Sequence, residues 1–248
     1  LLNLSEKDLK SVSIESHLKG NLKEAENGYI AYINNGYNDA DIYSNYALIC
    51  EDKGEINKAI RLYENCISKF PNHIFSKLNL AFLHYTLNDL NKAEILVNEA
   101  IKLKPNIANG YCIKGLIFKA LNNYDKSELL LKKAIEIDPK YFDAYINLGL
   151  LFKDTNQYIE AETYYLKALE INNKSSLAHL NIGAYYKEKN EIKKAIFHTE
   201  MAINLDSKIQ NAYLNLATIY SEKGEQKKSV AGPKKPVAGP KKPVAGPK

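Results

Sequence analysis

The chain has 248 residues, of which 45% are hydrophobic and 25% are charged; this composition can fill a core and excludes a disordered protein. Three cysteines exclude a disulfide framework, and no apolar run approaches the roughly 18–20 residues of a membrane span. The net charge of +5 comes from five lysines in residues 230–248, because the remaining basic and acidic residues balance. The rest of the chain therefore gives no electrostatic case for nucleic-acid binding.

The beginning of the chain, LLNLSEKDLK, has no basic region followed by a long apolar region, so it lacks the pattern of a signal peptide. The small number of cysteines is typical of a reducing compartment, where thiols pack as small apolar groups. Together these features predict a cytoplasmic protein.

Residues 6–229 repeat every 34 residues without insertion or deletion. Each repeat has a small residue at its eighth position and another at its twentieth. The repeats begin at Glu6, Ala40, Ile74, Ala108, Phe142, Ser176 and Gln210, and the eighth positions are Ser13, Ala47, Ala81, Gly115, Gly149, Gly183 and Ala217. Small residues at these two positions allow two helices to approach closely.

The first half of each repeat has the pattern of an amphipathic helix. Positions 4, 7, 8 and 11 form one apolar face, as in Tyr145, Leu148, Gly149 and Phe152. At the front of the array, Ser5 and Asp8 resemble a capping box that opens the first helix.

Position 15 predicts where each first helix ends. It holds only Gly or Asn, namely Gly20, Gly54, Asn88, Asn122, Asn156, Asn190 and Gly224. These two residue types adopt the left-handed conformation that follows a helix most readily. We therefore expect each first helix to stop at its fourteenth residue and the chain to turn back.

The second half of each repeat predicts a second helix. Positions 17, 20, 24 and 27 form its apolar face, as in Tyr158, Ala161, Tyr165 and Ala168. Pro71, Pro105 and Pro139 follow the predicted ends of three of these helices.

This pattern resembles the tetratricopeptide repeat (TPR) family, and in particular the arrays of O-linked N-acetylglucosamine transferase-type proteins. The matching positions are 4, 7, 8, 11, 20, 24, 27 and 32. The resemblance implies an all-α, right-handed superhelical solenoid of about seven helix-turn-helix repeats, whose first helices line a concave face. It covers residues 6 to about 229, and we assign residues 1–229 to one TPR array, of which the seventh repeat is incomplete.

Position 6 carries an asparagine row: Asn45, Asn79, Asn147, Asn181 and Asn215. Ser11 and Ile113 interrupt it in the first and fourth repeats. A primary amide offers both a donor and an acceptor, so a stacked row can bond the backbone of an extended peptide. Asn is also common at this position in the family, and the alternative is that the amides bond a neighbouring helix or water.

Other first-helix positions next to the row are apolar or basic. Position 9 supplies Leu116 and Leu150, and position 12 supplies Lys119, Lys153 and Lys187. Position 5 supplies Cys112, Ile146, Leu180 and Leu214. They predict a groove for an extended segment with apolar side chains and an acidic group near the lysines. The alternative for the charges is an ordinary solvated helix surface.

The sequence contains no metal-ligand spacing, no glycine-rich phosphate loop and no nucleophile motif. We therefore expect no catalytic residue, no metal and no cofactor. The predicted function is a non-enzymatic scaffold that binds a protein or an extended peptide. Two alternatives remain open: a substrate-recruiting arm of a glycosyl- or sulfotransferase whose catalytic domain lies elsewhere, and a self-assembling structural repeat protein.

The composition changes at Val230, where VAGPKKP begins to repeat. Pro233 falls at position 24, where a second helix cannot continue. Residues 230–248 are therefore expected to be an extended or disordered low-complexity tail. It is open whether this tail is a weak cationic tether to anionic surfaces or nucleic acid, a spacer, or without function. The uncovered seventh repeat is a candidate for self-association.

Overall fold

A computed structural model describes residues 4–222 of the chain. All regular secondary structure within these residues is α-helical, in thirteen helices of 13 or 14 residues each. The all-α fold of TPR helix pairs predicted from the sequence is confirmed. None of the helices within residues 4–222 combines the length and apolar character that crossing a bilayer requires.

The described residues fall into two compact units that divide after Pro139. The first unit holds α1 Glu6–Leu18, α2 Leu22–Asn34, α3 Ala40–Asp52, α4 Ile56–Lys69, α5 Ile74–Thr86, α6 Leu90–Leu103, α7 Ala108–Ala120 and α8 Tyr124–Ile137. The second unit holds α9 Phe142–Asp154, α10 Tyr158–Ile171, α11 Ser176–Glu188, α12 Ile192–Leu205 and α13 Gln210–Glu222. Odd-numbered helices are the first helices of the repeats, and even-numbered helices are the second.

The turns between paired helices follow the predicted register. Asn88, Asn122, Asn156 and Asn190 have φ angles between 57° and 61°. Gly20 and Gly54 also have positive φ. The first helices of the first six repeats end one residue earlier than predicted, since position 14 already serves as the C-cap. Gly224, the seventh turn residue, lies outside the described residues.

The predicted N-terminal cap also forms. The Ser5 hydroxyl accepts a hydrogen bond from the Asp8 backbone N–H at 3.2 Å and donates one to the Asp8 carboxylate at 2.6 Å. This satisfies one of the free N–H groups in the first turn of α1.

Within a repeat, position 8 of the first helix faces position 24 of the second. A Cβ atom built on Gly149 would lie 2.4 Å from the Tyr165 ring, and one on Gly183 would lie 2.5 Å from the Thr199 hydroxyl. The small residues at position 8 are therefore required for close packing, as the sequence predicts.

The predicted tail, residues 230–248, and the second half of the seventh repeat lie outside the described residues.

Candidate functional site

The asparagine row lies on the first helices. In the first unit it consists of Asn45 on α3 and Asn79 on α5, and in the second of Asn147, Asn181 and Asn215 on α9, α11 and α13. All five side chains are partly exposed. Because position 6 is the same point of every first helix, the asparagine side chains within one unit start from equivalent positions on their helices.

In the first unit, α3 packs directly against α5. Asn45 shares a helical face with Leu48 and Asp52, which are three and seven residues further along α3. Asn79 shares a face of α5 with Phe75 and Phe82, which are exposed by 60% and 43%. Each amide of this unit therefore lies among exposed apolar side chains.

Asn45 and Asn79 each contact a buried tyrosine of the preceding repeat. Burial raises the pKa of Tyr29 to about 12, and hydrogen bonding from the Asn45 amide opposes that shift. Burial likewise raises the pKa of Tyr63, against hydrogen bonding from Asn79. In the first unit the amides thus lie beside a tyrosine of the neighbouring helix and still keep part of their surface exposed.

Each of these tyrosines also bonds position 12 of its own repeat. The Tyr29 hydroxyl is 3.0 Å from His17 Nδ1. The Tyr63 hydroxyl donates to Glu51 Oε1 at 2.5 Å. Sequence reasoning missed this network, although tyrosine at position 24 was visible in the repeats that contain it.

In the second unit, Tyr165 occupies the equivalent position on α10 and is almost fully buried. Its hydroxyl has no hydrogen-bond partner among the described residues. The position-12 residue of this repeat is Lys153, a cation, whereas the repeats of Tyr29 and Tyr63 have His17 and Glu51 there. The repeats that carry a tyrosine at position 24 therefore differ in the polar contacts of its hydroxyl.

The lysines at position 12 pair with acids of the next repeat. Lys153 Nζ is 3.0 Å from Glu188 Oε1, and Lys187 Nζ is 3.0 Å from Glu222 Oε1. Both acids occupy position 13. A ligand carboxylate at either lysine would have to displace its paired acid. Lys119 is partly exposed on α7, and the peptide-contact role of all three lysines stays a prediction.

Fewer apolar side chains are exposed beside the asparagine row than the sequence predicts. Leu116 and Leu150 at position 9 are partly exposed, as a contact surface requires. Position 5 is different, because Cys112, Ile146 and Leu180 are each exposed by 8% or less, whereas Leu214 is exposed by 67%. The expectation that position 5 lines the groove is wrong for the three buried residues, which pack inside the array, and the Cys112 thiol is buried.

A repeated charge cluster was also missed. Glu26 on α2 pairs with Lys53 at 2.9 Å, and Glu162 on α10 pairs with Lys189 at 3.3 Å. In both cases the acid occupies position 21 and the lysine occupies position 14 of the next repeat. The sequence shows this recurrence of an acid at position 21 and a lysine at position 14, so the pairing could have been predicted from it. They connect adjacent repeats and bring no reactive group to the asparagine row.

Cys66, His73 and Asp41 form an arrangement that superficially resembles a catalytic triad. The Cys66 sulfur is 3.7 Å from His73 Nδ1, and His73 Nε2 is 3.3 Å from Asp41 Oδ1. However, Cys66 has no exposed surface, and burial raises the pKa of its thiol. A nucleophilic cysteine needs a lowered pKa and access to substrate. His73 instead accepts the Ser76 N–H and caps α5.

Within residues 4–222, no group of three or more His, Cys, Asp or Glu side chains is placed to hold a metal ion.

Family comparisons match three segments of the chain, residues 40–73, 76–107 and 142–175, to the tetratricopeptide repeat. Residues 115–156 match a second TPR repeat description. Together the matched segments span just over half of the chain. No curated protein matches the sequence significantly.

Solved structures share the fold at low sequence identity. The crystal structure of the APC/C hetero-tetramer Cut9–Hcn1 matches with a TM-score of 0.76 at 16% identity, over 87% of this chain and 43% of that chain. A tetratricopeptide repeat protein from Parabacteroides merdae ATCC 43184 matches with a TM-score of 0.69 at 20% identity, over 90% of this chain and 89% of that chain.

A thermophilic TPR protein from Thermus thermophilus matches with a TM-score of 0.69 at 16% identity, over 74% of this chain and all of that one. This chain spans less than half of the Cut9–Hcn1 chain. At these identities the similarity concerns the fold alone.

Proposed function

The chain belongs to the tetratricopeptide repeat family, and from this membership we propose that its first helices bind an extended peptide or partner segment along the asparagine row. TPR arrays are in general protein–protein interaction scaffolds, and their fold is typically non-catalytic. The proposal adds a surface and a kind of contact to that general role.

One observation carries the proposal: all five amides of the row are partly exposed at the same helical position. In the first unit they lie among the exposed apolar side chains of Leu48, Phe75 and Phe82. Amides that can bond a backbone, flanked by surfaces that can accept side chains, match the two needs of an extended ligand.

The expected strength follows from hydrogen-bond energetics. A net amide–backbone bond contributes about 0.5–1.5 kcal/mol. Losing one amide should therefore weaken binding by roughly fivefold, and losing several should abolish it.

A chain with a similar fold occurs in the Cut9–Hcn1 hetero-tetramer. That assembly supports a protein partner for an array of this kind.

The test is an affinity pull-down that compares the parent with the double variant Asn147→Ala/Asn181→Ala. A control double variant, Asn98→Ala/Asn204→Ala, removes two exposed amides from the second helices α6 and α12. Partners should be lost with the first variant and retained with the control, while circular dichroism stays unchanged in both. Partners retained by both variants would contradict the proposal.

A further inference from the structure

The first unit presents an aromatic–acidic surface, formed by Leu48, Glu51 and Asp52 on α3 and by Phe75 and Phe82 on α5. Leu48, Phe75 and Phe82 are exposed by 37%, 60% and 43%. Phe75 and Phe82 lie on the same face of α5 as Asn79, one on each side of it. Exposed aromatic side chains on one helical face are typical of a surface that another chain covers.

The acids of this surface have no cationic partner. Neither Glu51 nor Asp52 forms a salt bridge to any residue in the part of the chain that the structure describes. In the second unit, the acids at position 13, Glu188 and Glu222, are paired with Lys153 and Lys187. The acid at position 13 is therefore neutralised on α11 and α13 and left negative at Asp52 on α3.

The groups that face these acids do not neutralise them. Glu51 accepts a hydrogen bond from Tyr63, which is a neutral donor. Asp52 faces His17, and burial lowers the pKa of that histidine, although the charge of Asp52 opposes the shift. His17 is therefore mostly uncharged at neutral pH. The first unit keeps two carboxylates beside an exposed apolar surface.

We propose that the ligand of the first unit is an extended segment carrying a lysine or arginine next to an apolar residue. The cation lies against Glu51 and Asp52, the apolar side chain packs on Phe82 and Leu48, and the amides of Asn45 and Asn79 hold the backbone. This assignment rests on the proposed function and adds the charge of the ligand to it. Charge complementarity selects the partner, and the aromatic side chains supply the contact area.

The probe is a displayed library of random peptides, selected separately on the parent and on the isosteric variant Glu51→Gln/Asp52→Asn. A glutamine at position 51 can still accept the hydrogen bond from Tyr63, so the fold is retained. Peptides selected on the parent should be enriched in Lys or Arg beside apolar residues. They should bind the variant roughly tenfold more weakly, as expected for the loss of two partly desolvated charge pairs.

The matched control is Glu64→Gln, an exposed acid on the second helix α4. It should leave the affinity unchanged. Added salt should weaken binding to the parent more than binding to the Glu51→Gln/Asp52→Asn variant.

The outcomes separate the two proposals. If peptides bind through Asn45 and Asn79 but show no basic enrichment, or if they are acidic, the charge assignment is refuted while backbone binding stands. If selected peptides bind an Asn45→Ala/Asn79→Ala variant as well as the parent, the proposed function itself fails for this unit. Loss of basic enrichment in the Glu51→Gln/Asp52→Asn selection supports the assignment.

Discussion

Acid should destabilise the α11–α12 helix pair through His198. This side chain is buried on α12, with its Nδ1 3.0 Å from the Nδ1 of His179 on α11, and its ring stacks on Tyr186. His179 Nε2 is 3.1 Å from the Asn173 carbonyl oxygen, so it carries a proton and donates it. In the neutral pair, His179 Nδ1 then accepts and His198 Nδ1 donates.

The magnitude follows from the pKa of His198. Burial, with smaller contributions from His179 and Lys194, lowers this pKa from 6.5 to about 4. Between these values the unfolded chain binds a proton that the folded chain does not, so stability falls as the pH falls. The complete shift corresponds to about 3 kcal/mol, reached below pH 4, and about 2 kcal/mol is lost between pH 7.5 and pH 5.

The assay is native-state hydrogen exchange of the α11 and α12 amides, with protection factors measured at pH 7.5 and pH 5. Local measurement is needed because repeat arrays do not always unfold in a single step. The comparison is His198→Phe, which keeps the stacking on Tyr186 and removes the titrating group. The parent should lose about 2 kcal/mol more than the variant over this interval. An equal loss of protection in the two proteins would refute the assignment to His198.

Three further predictions concern packing and ion pairs. Gly149→Ala should destabilise the fold by about 1–3 kcal/mol in urea unfolding, because the new Cβ meets the Tyr165 ring. Adding Tyr165→Val should restore part of this stability, since Ala81 and Val97 occupy the same two positions in the third repeat. A single variant as stable as the parent would show that the site can relax. Tyr63→Phe should cost about 1–3 kcal/mol by removing the donor to Glu51. Tyr165→Phe should leave stability unchanged or raise it, because that hydroxyl has no partner among the described residues. Thermal unfolding compares the two variants, and a larger loss of stability in Tyr165→Phe than in Tyr63→Phe would contradict this. Lys153→Met should lower the free energy of unfolding by at most about 1 kcal/mol, since the ion pair with Glu188 lies near the surface. A double-mutant cycle with Glu188→Gln in low and high salt measures the coupling between the two side chains. A coupling that does not depend on salt would count against a screened ion pair.

Much of the candidate site could be predicted from the sequence because it depends on position within a helix. The asparagine row, Leu116 and Leu150 are partly exposed as expected, since a period of 34 residues repeats the same helical face. The role of position 5 could not be predicted this way. Cys112 and Ile146 lie beside the exposed stripe in the helical pattern, but neighbouring helices cover them.

By itself, the sequence determined the helix pairs, their register and their turns. Every repeat needs a residue that adopts the left-handed backbone conformation, such as Asn88 or Asn156, and a small residue opposite a large one. These requirements act over a short range, and each repeat must meet them separately. Only the tertiary structure decided which polar groups meet. Lys153 pairs with an acid 35 residues away, and Tyr63 donates a hydrogen bond to Glu51 on the other helix of its repeat. Such partners depend on how one helix packs on another, and the spacing within a single helix does not specify that geometry.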